Sequence, residues 1–519
     1  MDQEMDFNDL IILDLANNHS GDVEHGLNII RSFAEVVRSH KVRAALKFQF
    51  RQLDTFIHPA HQQGSDHKQV QRFLSTKLPG NQFQTLLDEV RKQGLVSMCT
   101  PFDEESVDVI SDMDFDIIKV ASCSGRDWPL LEKVADAGKP VIFSTGGLSL
   151  QDIDNLVSFF KHRGVHFAIM HCVAIYPTPD DKMNLNQIGV LRGRYPGVHI
   201  GWSTHEDPAD TTIVQMAVAL GATLYERHVG IPTEKSPLNA YSSSPQQASA
   251  WIAAKCRARI LCGAKERPSA SEAEVSAIEG LKRGVYAKTK IRKGTIIDPA
   301  QVYFAIPYLE GQLDSGKFKP GTLSANDVAA DAPIFEAQVT LPQAKDELIL
   351  KHAVHEVKAM LNEAKIHLGP EFKVEYSHHY GIRNFRETGA VLIECVNRDY
   401  CKKLVVQLPG QKHPSHYHDK KEETFQVLHG VLHCTVDGIQ RVLEPGESVV
   451  VLPGVWHSFG TDVGVIFEEI STKDHNGDSY YEDKNINKLS REERKTVVDH
   501  WGRFQLKPQA RTASPQATD

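Results

Sequence analysis

Eight short apolar, β-prone runs, separated by longer stretches of helical periodicity, fill the first half of the chain, and this alternation narrows the possible folds more than any other feature. The runs are "LIILDLA" from residue 10, "AALKFQ" from 44, "VSMCTP" from 96, "IIKVAS" from 117, "VIFSTG" from 141, "FAIMHCV" from 167, "HIGWST" from 199 and "LYERHV" from 224. Parallel strands must be joined by crossovers long enough to hold a helix, so such a pattern predicts βα units around a parallel sheet. The segment "DVEHGLNIIRSFAEVVRSH" shows the helical half of a unit, with Leu27, Ile30, Phe33 and Val37 on one face. Eight units are the number that closes a (β/α)8 TIM barrel; an open doubly wound sheet is the alternative.

In a barrel the reactive groups gather at the carboxyl ends of the strands. The runs close in Asp14, in Lys47 and Gln49, in Thr100, in Lys119 and Ser122, in Ser144, in His171, in Ser203 and His205, and in Glu226 and His228. Lys47 and Lys119, with the hydroxyls of Thr100, Ser122, Ser144 and Ser203, suit a ligand carrying a phosphate and a carboxylate, because charge-assisted hydrogen bonds are the strong ones. His205 and His228 end neighbouring runs. They could share one divalent metal, or each could be an ordinary structural histidine.

A length of 519 residues exceeds what one core organises, and the second half reads differently. In "GQKHPSHYHDKKEETFQVLHG" the spacing Gly410, His416, His418, Glu423, Gly430 is that of the first cupin motif. On a strand His416 and His418 share a face, and Glu423 returns toward them from the next strand. "PGESVVVLPGVWHSF" supplies His457 in the second motif, completing three histidines and a carboxylate for a divalent ion with open positions. His413 and His429 fall outside the spacing and read as packing or surface groups.

Composition excludes other classes. Hydrophobic content of 41% and charged content of 24% fit globular domains, while a formal charge of −9 gives no basic footprint for nucleic acid. No run of about 18 apolar residues is present to span a bilayer. The acidic start "MDQEMDFNDL" lacks the features of a signal peptide, which predicts a cytoplasmic protein. Eight cysteines without a CxxC pair suggest buried free thiols.

Taken together, "ANNHSG", "KFQ", "CTPF", "KVAS", "STGG", "HCVAIYPTP", "GWSTHE" and "ERHV" resemble, in order and spacing, the sialic acid synthase family, over residues 10 to about 340. The resemblance implies condensation of phosphoenolpyruvate with an N-acetylated hexosamine to a nonulosonic acid. It implies a divalent metal, manganese in the family, on His205 and His228, a catalytic carboxylate at Asp14, and substrate contacts from Lys47, Gln49, Thr100, Lys119, Ser122, Ser144, Tyr176, Ser203 and Asn239. "RGVYAKTKIRKGTIIDPAQVYFAIP" resembles the small antifreeze-like (SAF) domain that follows this barrel and implies a homodimer. Residues 350 to 490 are similar to D-lyxose isomerase-type cupins, through "DYCKKLVVQLPGQKHPSHYH" and "EEISTKDHNGDSYYEDKNI". That likeness implies aldose–ketose exchange, a second divalent ion (Mn²⁺, Zn²⁺, Fe²⁺ or Co²⁺) on His416, His418, Glu423 and His457, and proton handling by Lys403 and Glu469.

The expected organisation is a TIM-barrel synthase domain over 1–280, an SAF domain over 281–345, a cupin over 346–490 and an inert tail over 491–519, disordered in its last dozen residues. Several acceptor positions depart from the family pattern: Asp14 replaces Glu, Ser124 replaces Glu, Ala174 replaces Asn, Asn239 replaces Asp, and Ile306 stands where an Arg is expected. A changed pocket points to a changed acceptor, and a plain mannose-type aldose fits the lost contacts. Three readings stay open at this level: a bifunctional synthase and isomerase, a synthase whose cupin only binds sugar or supports a dimer, and a non-catalytic scaffold.

Overall fold

The computed structural model describes residues 5–234, 237–343, 346–475 and 477–501 and divides into two compact units, residues 1–269 and 270–519. The first unit is a closed barrel of eight parallel strands, β1 Leu10–Asp14, β2 Ala44–Phe50, β3 Val96–Pro101, β4 Ile117–Val120, β5 Val141–Ser144, β6 Phe167–Cys172, β7 Ile200–Thr204 and β8 Leu224–His228. β1 closes the ring by pairing with both β2 and β8. The eight apolar runs are therefore the eight strands.

Strand alternation sorts the barrel into two apolar shells. Leu10, Ile12, Ala45, Met98, Ile117, Ile142, Met170 and Leu224 fill the interior, while Ile11, Leu13, Leu46, Phe48, Ile118, Phe143 and Trp202 pack outward on the helices. Gly201 takes the interior position in β7, where a Cβ would lie 2.6 Å from both the Leu224 Cγ and its carbonyl oxygen. The first outer helix, Val23–His40, starts where Asp22 accepts hydrogen bonds from the Glu24 and His25 amides, and it buries Leu27, Ile30, Phe33 and Val37 as its periodicity predicts.

The second unit begins with a small β-rich segment. Strand Gly284–Ala287 pairs with Val302–Ala305 and Leu323–Ser324 with Val339–Thr340, around a core of Val285, Ile291, Ile297, Leu313, Val328 and Ile334. The cupin follows helix Asp346–Glu363 as a seven-stranded and a five-stranded antiparallel sheet. Phe425, Val427, Leu432, Phe459 and Phe467 belong to one buried cluster of its core, and the helix packs Leu350, Val354, Val357 and Leu361 with Val374, Ile393, Leu404 and Val406 in another.

Two expectations need correction. Residues from 491 onward are not all tail: strand Lys495–Asp499 extends the seven-stranded sheet by pairing with Lys373–Ser377, and Trp501 is buried in the helix-side core. The β-branched run Thr496-Val497-Val498 supplies the strand, and its partner lies too far back in the chain for a local pattern to show it. The expected disorder of the last dozen residues concerns positions outside the described ones. All eight cysteines are free, but Cys123, Cys262 and Cys395 are exposed rather than buried. No helix among the described residues is long and apolar enough to cross a membrane.

Candidate active sites

The alternation that buries Leu10 and Ile12 makes Asp14 the next inward side chain of β1. By the same count Ala45 leads to Lys47 and Gln49, Met98 to Thr100, Ile117 to Lys119, Ile142 to Ser144, and Leu224 to Glu226 and His228. Parallel register levels these ends, since Asp14 lies opposite Lys47 on one side and His228 on the other. All twelve barrel residues expected from the sequence line one cleft of about 1060 Å³: Asp14, Lys47, Gln49, Thr100, Lys119, Ser122, Ser144, Tyr176, Ser203, His205, His228 and Asn239.

A buried ionic chain forms the floor. Lys47 Nζ is 3.0 Å from Asp14 Oδ2 and closer still to Glu226 Oε1, and Glu226 Oε2 is 3.1 Å from Lys119 Nζ, which donates to Ser144 Oγ at 2.6 Å. Burial disfavours both ammonium groups. At Lys47 the two carboxylates more than offset it and the pKa rises; at Lys119 burial wins and the pKa falls. Glu226 is held low by the lysines despite its burial. The sequence placed Glu226 at a run end but gave it no role, although its spacing of two from His228 puts both on the same face.

His205 Nδ1 lies 3.1 Å from the Val173 carbonyl and His228 Nδ1 3.4 Å from Asp14 Oδ2, with ring centroids 5.3 Å apart. A proton on Nδ1 of His205 leaves Nε2 as a lone-pair donor, the arrangement that metal-ligating histidines use. Thr100 Oγ1 is buried without a partner and Gln49 Nε2 donates to Asp14 Oδ2 at 3.4 Å. The donor set fits a divalent ion beside a polar ligand. Ala174 lines the wall where the family pattern has an amide, and Ser124, where that pattern has an acidic group, is buried.

Two barrel histidines are held neutral. Burial, then the neighbouring His228, pushes His205 down to about 3; burial, then His25, pushes His19 down to about 4. The unfolded chain binds protons to these groups more readily, so the stability they supply is complete above about pH 6.5 and is lost as pH falls toward 4 and 3. Each adds a slope of about 1.4 kcal/mol per pH unit in that window. Urea midpoints measured with chelator present are expected to drop steadily from pH 7 to pH 5; an unchanged midpoint contradicts neutral burial of both.

In the cupin, His416 lies in strand Lys412–Tyr417 opposite His457, and a bulge between His413 and His416 lets both of those side chains be buried. His418 lies just past the strand and Glu423 opens the next one. Donor atoms of His416, His418 and His457 lie within 4.8 Å of one another, and Glu423 reaches His457 Nε2 at 3.2 Å and His418 Nε2 at 3.4 Å. Each histidine gives Nδ1 to a backbone carbonyl, of Pro414 at 3.0 Å, Asp478 at 2.5 Å and Val455 at 3.1 Å. With the His457 proton on Nδ1, Glu423 Oε2 and His457 Nε2 are two buried acceptors that face each other at 3.2 Å with no donor between them. Fixed tautomers around orphaned acceptors fit a divalent cation.

Lys403 is buried, not solvated, with Nζ 2.8 Å from Asp474 Oδ2 and 3.7 Å from Glu469 Oε1. Lys421, which sequence reasoning missed, joins the two halves: its Nζ lies 2.5 Å from Glu469 and 2.6 Å from Glu423. Burial opposes charge on Lys421, but Glu469 and Glu423 raise its pKa well above the ordinary range, and Lys421 holds Glu423 well below. The outcome is a continuous ionic path from Asp474 through Lys403, Glu469 and Lys421 to the histidine cluster. His413 stacks on Phe459 and lies 3.2 Å from His379, a packing role as expected.

Comparison with known proteins places these sites in context. The NeuB family profile matches residues 38–266 and the cupin domain profile residues 403–464. The crystal structure of a candidate spore coat polysaccharide biosynthesis protein E from Chromobacterium violaceum is 45% identical, covers 64% of this chain and 99% of its own, and superposes with a TM-score of 0.62. An uncharacterised protein of Methanocaldococcus jannaschii is 30% identical over 300 residues, 57% of this chain and 84% of its own. The N-acetylneuraminate-9-phosphate synthase of Homo sapiens is 26% identical over 294 residues, 55% of this chain and 80% of its own.

Proposed function

This chain belongs to the NeuB family, and from that premise we propose that its barrel condenses phosphoenolpyruvate with a mannose-type aldose or an N-acylhexosamine to a nonulosonic acid, while its cupin interconverts an aldose and a ketose. The observation that carries the synthase reading is the convergence of Lys47, Lys119, four hydroxyls, Asp14 and two histidines on one cleft. Lys47 and Lys119, with Thr100, Ser122, Ser144 and Ser203, bind the phosphate and carboxylate of phosphoenolpyruvate. Glu226 bridges both ammonium groups and keeps them aimed across the floor.

A divalent ion on His205 and His228, manganese by family resemblance, would polarise the acceptor aldehyde. C3 of phosphoenolpyruvate then bonds to the aldehyde carbon, water adds at C2, and inorganic phosphate leaves. Asp14, between Lys47 and His228, is placed to manage the proton of the oxygen that becomes a hydroxyl. In the cupin a divalent ion on His416, His418, Glu423 and His457 would acidify the carbon beside the sugar carbonyl. Glu469 and Lys403 carry the proton between neighbouring carbons, and Lys421 holds Glu469 in line with Glu423. We read residues 281–345 as an antifreeze-like module and the working unit as a cytoplasmic homodimer; the exposed Ile260, Leu261, Ile278 and Leu281 of the single chain support an apolar contact between copies.

Ala174 in place of an amide and Asn239 in place of a carboxylate, both lining the cleft, support a plain aldose acceptor. Phosphate release from phosphoenolpyruvate, measured with Mn²⁺ and competing sugars, is expected to give mannose or its 6-phosphate at least a ~10-fold higher kcat/KM than the matching N-acetylmannosamine. The reverse preference removes the plain-aldose reading and leaves the amino sugar.

A further inference from the structure

The connection after β2 carries cations that the floor chemistry does not use. Arg51 follows Gln49 at the strand's inward spacing, with its guanidinium 3.6 Å from the Phe102 ring centroid and 4.1 Å from that of Phe73. Stacking on two rings fixes the plane of the fork without neutralising it. Its Nε is buried with no partner, and a terminal nitrogen donates to Gln49 Oε1 at 3.2 Å. Burial lowers the Arg51 pKa to about 10, which still leaves it charged at neutral pH.

The charges of the cleft are unevenly matched. Lys47 and Lys119 on the floor meet Asp14 and Glu226. Among the described residues, Arg51, Lys68 and Arg72 on the wall meet no carboxylate within salt-bridge distance, and residues 51–73 contribute no acidic side chain to the lining. Arg51, Lys68 and Arg72 line the same cleft as His205 and His228, so this wall faces the reacting end. A half-buried guanidinium held on two rings, with a buried Nε that has no partner and no carboxylate beside it, is suited to a ligand that supplies the anion.

We propose that Arg51, with Lys68 and Arg72, forms a second anion site in the barrel cleft that receives a phosphate ester borne by the acceptor sugar at the end away from its aldehyde. The inference rests on the synthase reading and specifies its acceptor. A planar fork matches two phosphate oxygens at once, and the cleft of about 1060 Å³ has room for a hexose phosphate beside phosphoenolpyruvate.

The test compares mannose with mannose 6-phosphate, and N-acetylmannosamine with its 6-phosphate, in the full-length Mn²⁺-loaded protein and in R51A and R51K. Phosphate release from phosphoenolpyruvate is expected to favour each phosphorylated sugar about 100-fold in kcat/KM. R51A should erase most of that preference through KM for the phosphorylated sugar, with R51K between. Turnover that ignores sugar phosphorylation overturns the second anion site while the synthase reading stands. A loss in R51A that falls instead on KM for phosphoenolpyruvate also overturns it, by assigning Arg51 to the other substrate. If no sugar supports turnover, the synthase reading fails, and calorimetric titration with mannose 6-phosphate still decides the site: at least ~10-fold weaker binding to R51A supports it, and equal binding overturns it.

Discussion

His228→Ala abolishes phosphate release from phosphoenolpyruvate, a fall of at least ~1000-fold, and His205→Ala does the same. The expectation follows from how few alternatives the floor offers. His228 Nδ1 faces Asp14 and His205 Nδ1 is anchored on the Val173 carbonyl, so one lone pair from each ring is available to an ion. Removing either leaves a single imidazole beside Tyr176 and Tyr241, whose phenols are weak ligands. Neither change disturbs the Lys47–Glu226–Lys119 chain, and phosphoenolpyruvate should still bind, which equilibrium titration can read separately from turnover. Metal analysis of each variant should show one equivalent lost and the cupin equivalent retained. Full phosphate release in both variants would end the two-histidine account of the barrel.

The second large effect lies in the cupin. His416→Ala is expected to remove the cupin metal and reduce aldose–ketose exchange at least ~1000-fold while phosphate release in the barrel continues. Glu423→Ala should remove both metal and exchange and, unlike the histidine variant, also destabilise the cupin by about 3 kcal/mol. The difference comes from Lys421. Its ammonium is buried between Glu423 and Glu469, so deleting Glu423 strands part of a charge that His416 never touched. Paired unfolding and metal-content measurements separate the two variants. Loss of synthase and isomerase activity together, with both units folded, would contradict independent sites; full exchange activity in His416→Ala would reduce the cupin to a binding module.

The residues that sequence reading found and those it missed divide along a physical line. Inward residues of the barrel are governed by period-two alternation within a single strand, and the apolar Leu10 and Ile12 therefore announce Asp14. Cupin ligands keep a spacing that survives in one dimension. Lys421 and Asp474 gain meaning only from antiparallel pairing, which sets Phe425 opposite Glu469 and Glu469 opposite Lys403 across three strands. The strand Lys495–Asp499 is of the same kind, because its reason for existing is an unpaired edge at Lys373–Ser377. Arg51 was within reach, two residues beyond Gln49, but an arginine after a strand looks like surface until Phe73 and Phe102 are brought over it.

The cleft draws its floor and its wall from unequal lengths of chain. Floor residues come from the ends of many strands, whose heights are locked by ring closure, so a change there is registered by the whole barrel. The cationic wall belongs to a single excursion between β2 and β3, where short helices tolerate insertion and replacement. Descent with modification can therefore trade one excursion for another and shift diet without relearning the reaction. Lineages sharing this barrel would be expected to diverge fastest between residues 51 and 79, each swap opening a new sugar coat to the same carbon–carbon bond.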